Sequence, residues 1–242
     1  YEKKRNNTME RRVYKNAISL NKIPTLEKDL TELFAHIKFY LPKFQTPKVY
    51  VFSSATELYE EPILYIPAKK ILFIDLSAFM GEKSEYYDGI DNYVKKDMNP
   101  ENVITRVSEN IAADFVPVTP DQNKFLDKIV NQGKLLILQD AFLPKTPDQY
   151  KIGYSKEQQS WAISNEENIW NYFVENDLLF SDDSNLNERF LNKGPFSKFY
   201  TEIDQKSSPR IGTFIGWQIC RKYLAEHPEV TLQQFLQKSA TE

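Results

Sequence analysis

Residues 107–112, VSENIA, have the outline of a helical motif that binds zinc in hydrolases, His-Glu-x-x-His. In that motif two histidines four residues apart stand on one helix face and share the ion, and the glutamate beside the first polarises the bound water. Here the two histidine positions hold Ser108 and Ala112, and the glutamate between them is kept as Glu109. A hydroxymethyl and a methyl group cannot replace two imidazoles. What is left is a would-be general base without its metal, or an ordinary helix in which a glutamate follows a serine.

Zinc peptidases of the gluzincin type take a third ligand from a glutamate on a following helix, about twenty residues after the second histidine. Counted from Ala112, that position is Gln132, a neutral amide followed by Gly133. The two histidines of the chain, His36 and His227, have no cysteine, histidine or carboxylate at a recognised ligand spacing. The degenerate site is therefore Ser108, Glu109, Ala112 and Gln132, with no catalytic residue, no metal ligand and no cofactor expected. Asp182 and Asp183 are the compact acidic pair to weigh for calcium or acid–base chemistry, but adjacent side chains point apart and no calcium-loop spacing follows, so they read as a solvated turn.

These residues need elements to hold them. The first 19 residues, with little to bury and an excess of basic side chains in YEKKRNNTMERR, read as a flexible basic tether. Leu26, Leu30, Leu33, Phe34, Ile37 and Tyr40 then follow helical spacing, with Thr25 as a candidate cap and Pro42 as the stop. The runs KVYVFSS and PILYIPAKKILFIDLSAF predict a small, largely antiparallel sheet between 48 and 79. From Pro100 onward the pattern is helical: PENVITRVSENIAADF, a long helix through Ile129 and Ile137, one from Ser155 to about 176, one opened by Ser208 and Pro209, and a short last one from Thr231. The fold class is α+β, mostly helical, with one domain over 20–242. Seven glycines against thirty Phe and Tyr favour an aromatic, helical core. Gly212 and Gly216, four apart, and Gly133 mark close helix packing inside that core. Cys220 reads as a small core residue and, being the one cysteine, can form no disulfide within the chain. A net charge of −3 gives no basic face for nucleic acid, and no run approaches the roughly 20 apolar residues of a membrane span.

The segments QGKLLILQDAFLP (132–144), IGYSKEQQSWAISNEENIWNYFVENDLLFSDD (152–183), PFSKFY (195–200) and SPRIGTFIGWQICRKYL (208–224) together resemble the gliding motility-associated lipoprotein family GldB of Bacteroidetes. A family glycine expected between Pro209 and Arg210 is lacking. The family is also similar to predicted zinc-dependent peptidases, so the resemblance implies a degenerate gluzincin-like fold. It further implies a membrane-anchored lipoprotein facing the periplasm, held by an N-terminal acylated cysteine that this chain does not contain. Its partners would be protein components of the gliding and type IX secretion machinery, with no nucleic acid. Phe196 and Phe199 are expected to be buried or to form part of a partner-facing patch, for which Trp217 is a further candidate. The alternative function is a periplasmic hydrolase that uses Glu109 with unconventional ligands or no metal.

Overall fold

The structure, a computed structural model, describes residues 7–117 and 119–241. The sequence suggests one domain over 20–242, whereas the contacts divide the chain into two compact units, one ending at Ile111 and the other starting at Ala112. Each has buried apolar side chains of its own.

In the first unit, the expectation of a flexible tether over 1–19 meets a helix, α1 (Thr8–Leu20); residues 1–6 lie outside the described residues. Asn7 caps α1 through its side-chain oxygen, which accepts from the Met9 and Glu10 amides, and Val13 and Ala17 are buried one turn apart. The basic side chains of this segment hid that short apolar stripe. Asn21 closes the helix, donating through Nδ2 to Ala17 O at 2.8 Å and Phe79 O at 3.0 Å. Helix α2 (Ile23–Tyr40) buries Leu26, Leu30, Leu33, Phe34 and Ile37 of the predicted stripe, whereas Tyr40, at the helix end, is exposed. It starts two residues before Thr25 because Lys22 takes a left-handed backbone, φ 43°, and Pro24 fits the first turn.

Strands β1 (Lys48–Phe52), β2 (Ile63–Ile66) and β3 (Ile71–Asp75) form a sheet in the order β1-β3-β2. The expectation of a largely antiparallel sheet is corrected: the sheet is mixed. β2 and β3 are antiparallel, Ile63 opposite Ile74, because the tight turn Pro67–Lys69 and left-handed Lys70 fold the chain straight back. β1 pairs with β3 in parallel, Lys48 opposite Ile71, because residues 53–62 carry the chain across the sheet before β2 begins. Alternation of side chains reveals strands but carries no information on their direction.

Asp75 ends β3 with its side chain fully buried. Its Oδ1 accepts from Ser54 N at 3.2 Å, Ser77 N at 3.0 Å and Ser77 Oγ at 2.6 Å, and Oδ2 accepts from Ser54 Oγ. Ser77 Oγ in turn accepts from Thr56 N at 3.0 Å. This knot holds the loop after β1, where Ala55 and the β-branched Thr56 sit at φ 58° and 74°, a region costly for both. Nearby, Tyr87 is buried with its hydroxyl donating to Ser77 O and accepting from Met80 N, and burial pushes its phenol above the ordinary range. A short helix, α3 (Asn92–Lys95), leads to α4 (Val103–Ala112).

The second unit is built on α5 (Phe125–Phe142) and α10 (Ile211–Glu226). Between them lie α6 (Asp148–Ile152), α7 (Lys156–Ser164), α8 (Glu166–Glu175) and α9 (Asn185–Phe190), and α11 (Leu232–Gln237) follows. The predicted 156–176 helix is broken at Asn165, whose φ and ψ of −115° and 9° leave the helical region. Ser155 caps α7 and Thr231 caps α11, each in a reciprocal pair with a glutamine three residues on.

Gly133 and Gly216 let the backbones of α5 and α10 touch: a Cβ built on Gly216 would lie 1.8 Å from Ile129 O. Cys220, also at this contact, is buried, and burial pushes its thiol up to about 12. The start of α10 departs from expectation. Ser208 does not cap it but donates through Oγ to Gln158 O at 2.6 Å, while Ser197 Oγ accepts from Ile211 N at 3.1 Å. Arg210, beside the missing glycine, adopts φ 53°, the conformation glycine takes most easily. Phe125, Tyr172, Phe173, Phe190 and Phe199 form a chain of tilted and edge-to-face rings, with Phe173–Phe190 at 5.1 Å and Phe190–Phe199 at 5.2 Å. Lys134, almost fully buried, donates from Nζ to Leu236 O at 3.2 Å and to Lys238 O, fastening the end of α11.

Candidate functional site

Helix α4 is positioned by its apolar stripe and by one polar side chain. Val103, Val107, Ile111 and Ala112 are buried. Asn110 reaches the open edge of β2, where Nδ2 donates to Ile63 O at 3.3 Å and Oδ1 accepts from Tyr65 N at 3.1 Å. This occupies two backbone groups of an edge strand that would otherwise be open to pairing.

On that helix Ser108 and Ala112 share a face one turn apart, both fully buried. Ser108 Oγ has no hydrogen-bond partner among the described residues, an uncommon state for a buried hydroxyl. Glu109 is partly exposed and bound to Arg106, Nη1 to Oε2 at 2.6 Å, with Asp97 a further 3.8 Å from the same nitrogen. Gln132, half-buried, belongs to α5 in the other unit. The side chains of Ser108 and Ala112 offer one neutral oxygen between them, which is not a zinc donor set. Among the described residues no three His, Cys, Asp or Glu side chains converge where they could hold a metal ion. His227 faces Glu229 at 3.3 Å and packs on Tyr223. Asp182 pairs with Lys124 at 3.5 Å, and Asp183 accepts from Asn185 N at 2.9 Å to start α9, the turn role expected of them.

Two groupings in the second unit were not identified as sites from sequence. The first is ionic. Arg221 forks onto two carboxylates, with Nε and Nη2 on Asp140 at 2.9 Å each, and Nη1 and Nη2 on Asp148 at 2.6 and 2.9 Å. Lys151 adds a bond to Asp140 at 2.7 Å, and Trp217 donates from Nε1 to the same carboxylate at 2.9 Å. Trp217 was a candidate for a partner-facing patch. That expectation is corrected: the indole is fully buried, with the Arg221 guanidinium stacked 3.8 Å from its ring centre. An aspartate inside the apolar run LLILQDAFL was the available signal.

Hydrogen bonds from Arg221 hold the Asp148 carboxyl below the usual range, against the opposing effect of burial. A depressed folded-state value contributes stability above the ordinary carboxylate pKa of about 4 and loses it as pH falls through the folded value. Asp148→Asn is therefore expected to cost about 1 kcal/mol at neutral pH, modest because the group is partly exposed. The two proteins should converge in stability as pH drops below 4, which urea titrations at a series of pH values would show.

The second grouping is a cavity of about 140 Å³ lined by Trp161, Ile169, Tyr172, Phe199 and Ile203, with Asn165 and Asn168 at its side. Phe199 is buried and forms part of this lining, and Phe196 is half-buried.

A family model described as gliding motility protein GldB matches residues 1–242, the whole chain. The chain belongs to the GldB gliding motility family. Comparison with curated proteins and with solved structures returns no match. As a GldB protein the chain is a gliding motility lipoprotein, and the family link points to components of the motility machinery as its partners. Among the described residues no helix is long and apolar enough to cross a membrane.

Proposed function

We infer that this chain is a non-catalytic, membrane-tethered interaction protein of the gliding motility and type IX secretion machinery, facing the periplasm. In this reading its fold is a peptidase-like scaffold of gluzincin descent that has lost its zinc ligands at positions 108, 112 and 132. The whole-length family match supports the motility role. The non-catalytic part is supported by the side-chain chemistry of α4: neither Ser108 nor Ala112 replaces an imidazole, and one oxygen of Glu109 is committed to Arg106. A general base must instead present its oxygen to a substrate proton beside a polarised electrophile.

Glu109→Gln separates this reading from a hydrolase. The expected cost is below about 1 kcal/mol, that of a partly exposed i,i+3 pair. Cells complemented with the variant should glide as wild type, and protein purified from zinc-supplemented culture should hold no stoichiometric zinc. Lost gliding by a folded, normally expressed variant, or one zinc per chain, would overturn the reading.

A further inference from the structure

We propose that the cavity walled by Trp161, Ile169, Tyr172, Phe199 and Ile203 receives one large apolar side chain from a basic segment of a partner protein. At about 140 Å³ it falls well below the roughly 300–1,000 Å³ of sites for small molecules and cofactors, and is on the scale of a single leucine or phenylalanine side chain. Its floor is fixed before binding. Ile169 and Phe199 are buried, Tyr172 donates through its hydroxyl to Phe199 O at 3.3 Å, and Arg189 donates to that hydroxyl at 3.1 Å. Ile203 at the wall is 42% exposed, so the apolar lining reaches solvent. A rigid pocket taking one anchor is the usual form of an energetic centre in a protein interface.

The charge around it selects the partner. Residues 157–188, which supply three of the five walls, contain eight acidic and no basic side chains, while on the side of the other two walls stand Arg189, bound to the Tyr172 hydroxyl, Lys198, paired with Glu188, and Lys206. Glu166 and Glu167 stand in the first turn of α8, Glu202 sits between the lining residues Thr201 and Ile203, and Glu175 ends α8. All four are exposed, and among the described residues none is in an ion pair. The helix dipole favours carboxylates in the first turn, but it disfavours Glu175 at the last, so helix stability does not account for the set. Such a field repels phosphate-bearing surfaces, lipid or nucleic acid, and attracts lysine and arginine.

The proposal rests on the reading as an interaction protein and names its docking chemistry. The test uses the full chain and two labelled peptides, Lys-Arg-Phe-Lys-Arg and Lys-Arg-Ala-Lys-Arg, followed by fluorescence anisotropy. The Phe peptide should bind at least tenfold tighter. Ile203→Ser, and separately Glu166→Lys with Glu167→Lys, should each weaken it at least fivefold with an unchanged circular dichroism spectrum. Equal binding of the two peptides, or wild-type binding by either variant, overturns the pocket. The motility reading fails on a different result: cells lacking the protein that still glide.

Discussion

Gly216→Ala is expected to destabilise the C-terminal unit by about 4 kcal/mol, at the upper end of what overpacking costs and enough to unfold a marginal domain. The reason is geometric. The added methyl would stand 1.8 Å from Ile129 O and 2.5 Å from Ile129 C. Both atoms belong to the backbone of α5, deep inside a helix, so no side-chain rotation relieves the overlap. The helices must move apart by more than 1 Å, and with them the contacts of the core they share. Gly133→Ala meets the reciprocal obstacle, Gly216 O at 2.3 Å, and is expected to behave alike. Gly194→Ala is the control: its nearest neighbour would be 3.7 Å away, and the change should stay within about 0.5 kcal/mol. Urea denaturation followed by tryptophan fluorescence reads this unit directly, because all three tryptophans, Trp161, Trp170 and Trp217, lie in it. A Gly216→Ala protein with an unshifted midpoint would mean that the two backbones do not meet.

Asp75→Ala is expected to cost about 3 kcal/mol in the N-terminal unit. Removing the carboxylate leaves the amides of Ser54 and Ser77 and two hydroxyls without their acceptor in a fully buried place. A stranded buried donor costs about 1–3 kcal/mol, and hydroxyls recover part of the loss by turning to other acceptors. Relaxation of Ala55 and Thr56 from their left-handed backbones offsets a further part, because the knot is what keeps them there. Asp75→Asn should cost visibly less. Its amide oxygen can keep the three donors on the Oδ1 side, while its NH₂ group faces Ser54 Oγ, which can accept. The order Ala worse than Asn is the checkable result, by chemical denaturation with far-ultraviolet circular dichroism. An equal loss in both variants would show that negative charge, and not donor geometry, holds the loop.

The sequence was most legible where one periodicity ran uninterrupted. The stripe from Leu26 to Ile37, the caps at Ser155 and Thr231, and the close packing of Gly133, Gly212 and Gly216 could be read from residue type and spacing. It was least legible where tertiary contacts outweigh local preference. Ser208 has every mark of a helix cap, yet its hydroxyl goes to Gln158 O, fifty residues back. Strand direction depended on the path of residues 53–62, which alternation does not encode. At the candidate site, the identities of Ser108, Ala112 and Gln132 were plain, but the attachment of Glu109 to Arg106 and of Asn110 to β2 depends on rotamers and on a distant strand. The Arg221 fork was hidden for the same reason: Asp140 and Asp148 come to it from elements far away in the chain.

The meeting of α5 and α10 has a bearing on how the molecule is made. Partners about eighty residues apart must find each other, so the contact closes late and only after the intervening helices have been delivered. A chain emerging from its N-terminus carries the apolar, glycine-notched side of α5 uncovered throughout that interval. The same bare notch that admits its own later helix is open meanwhile to any other.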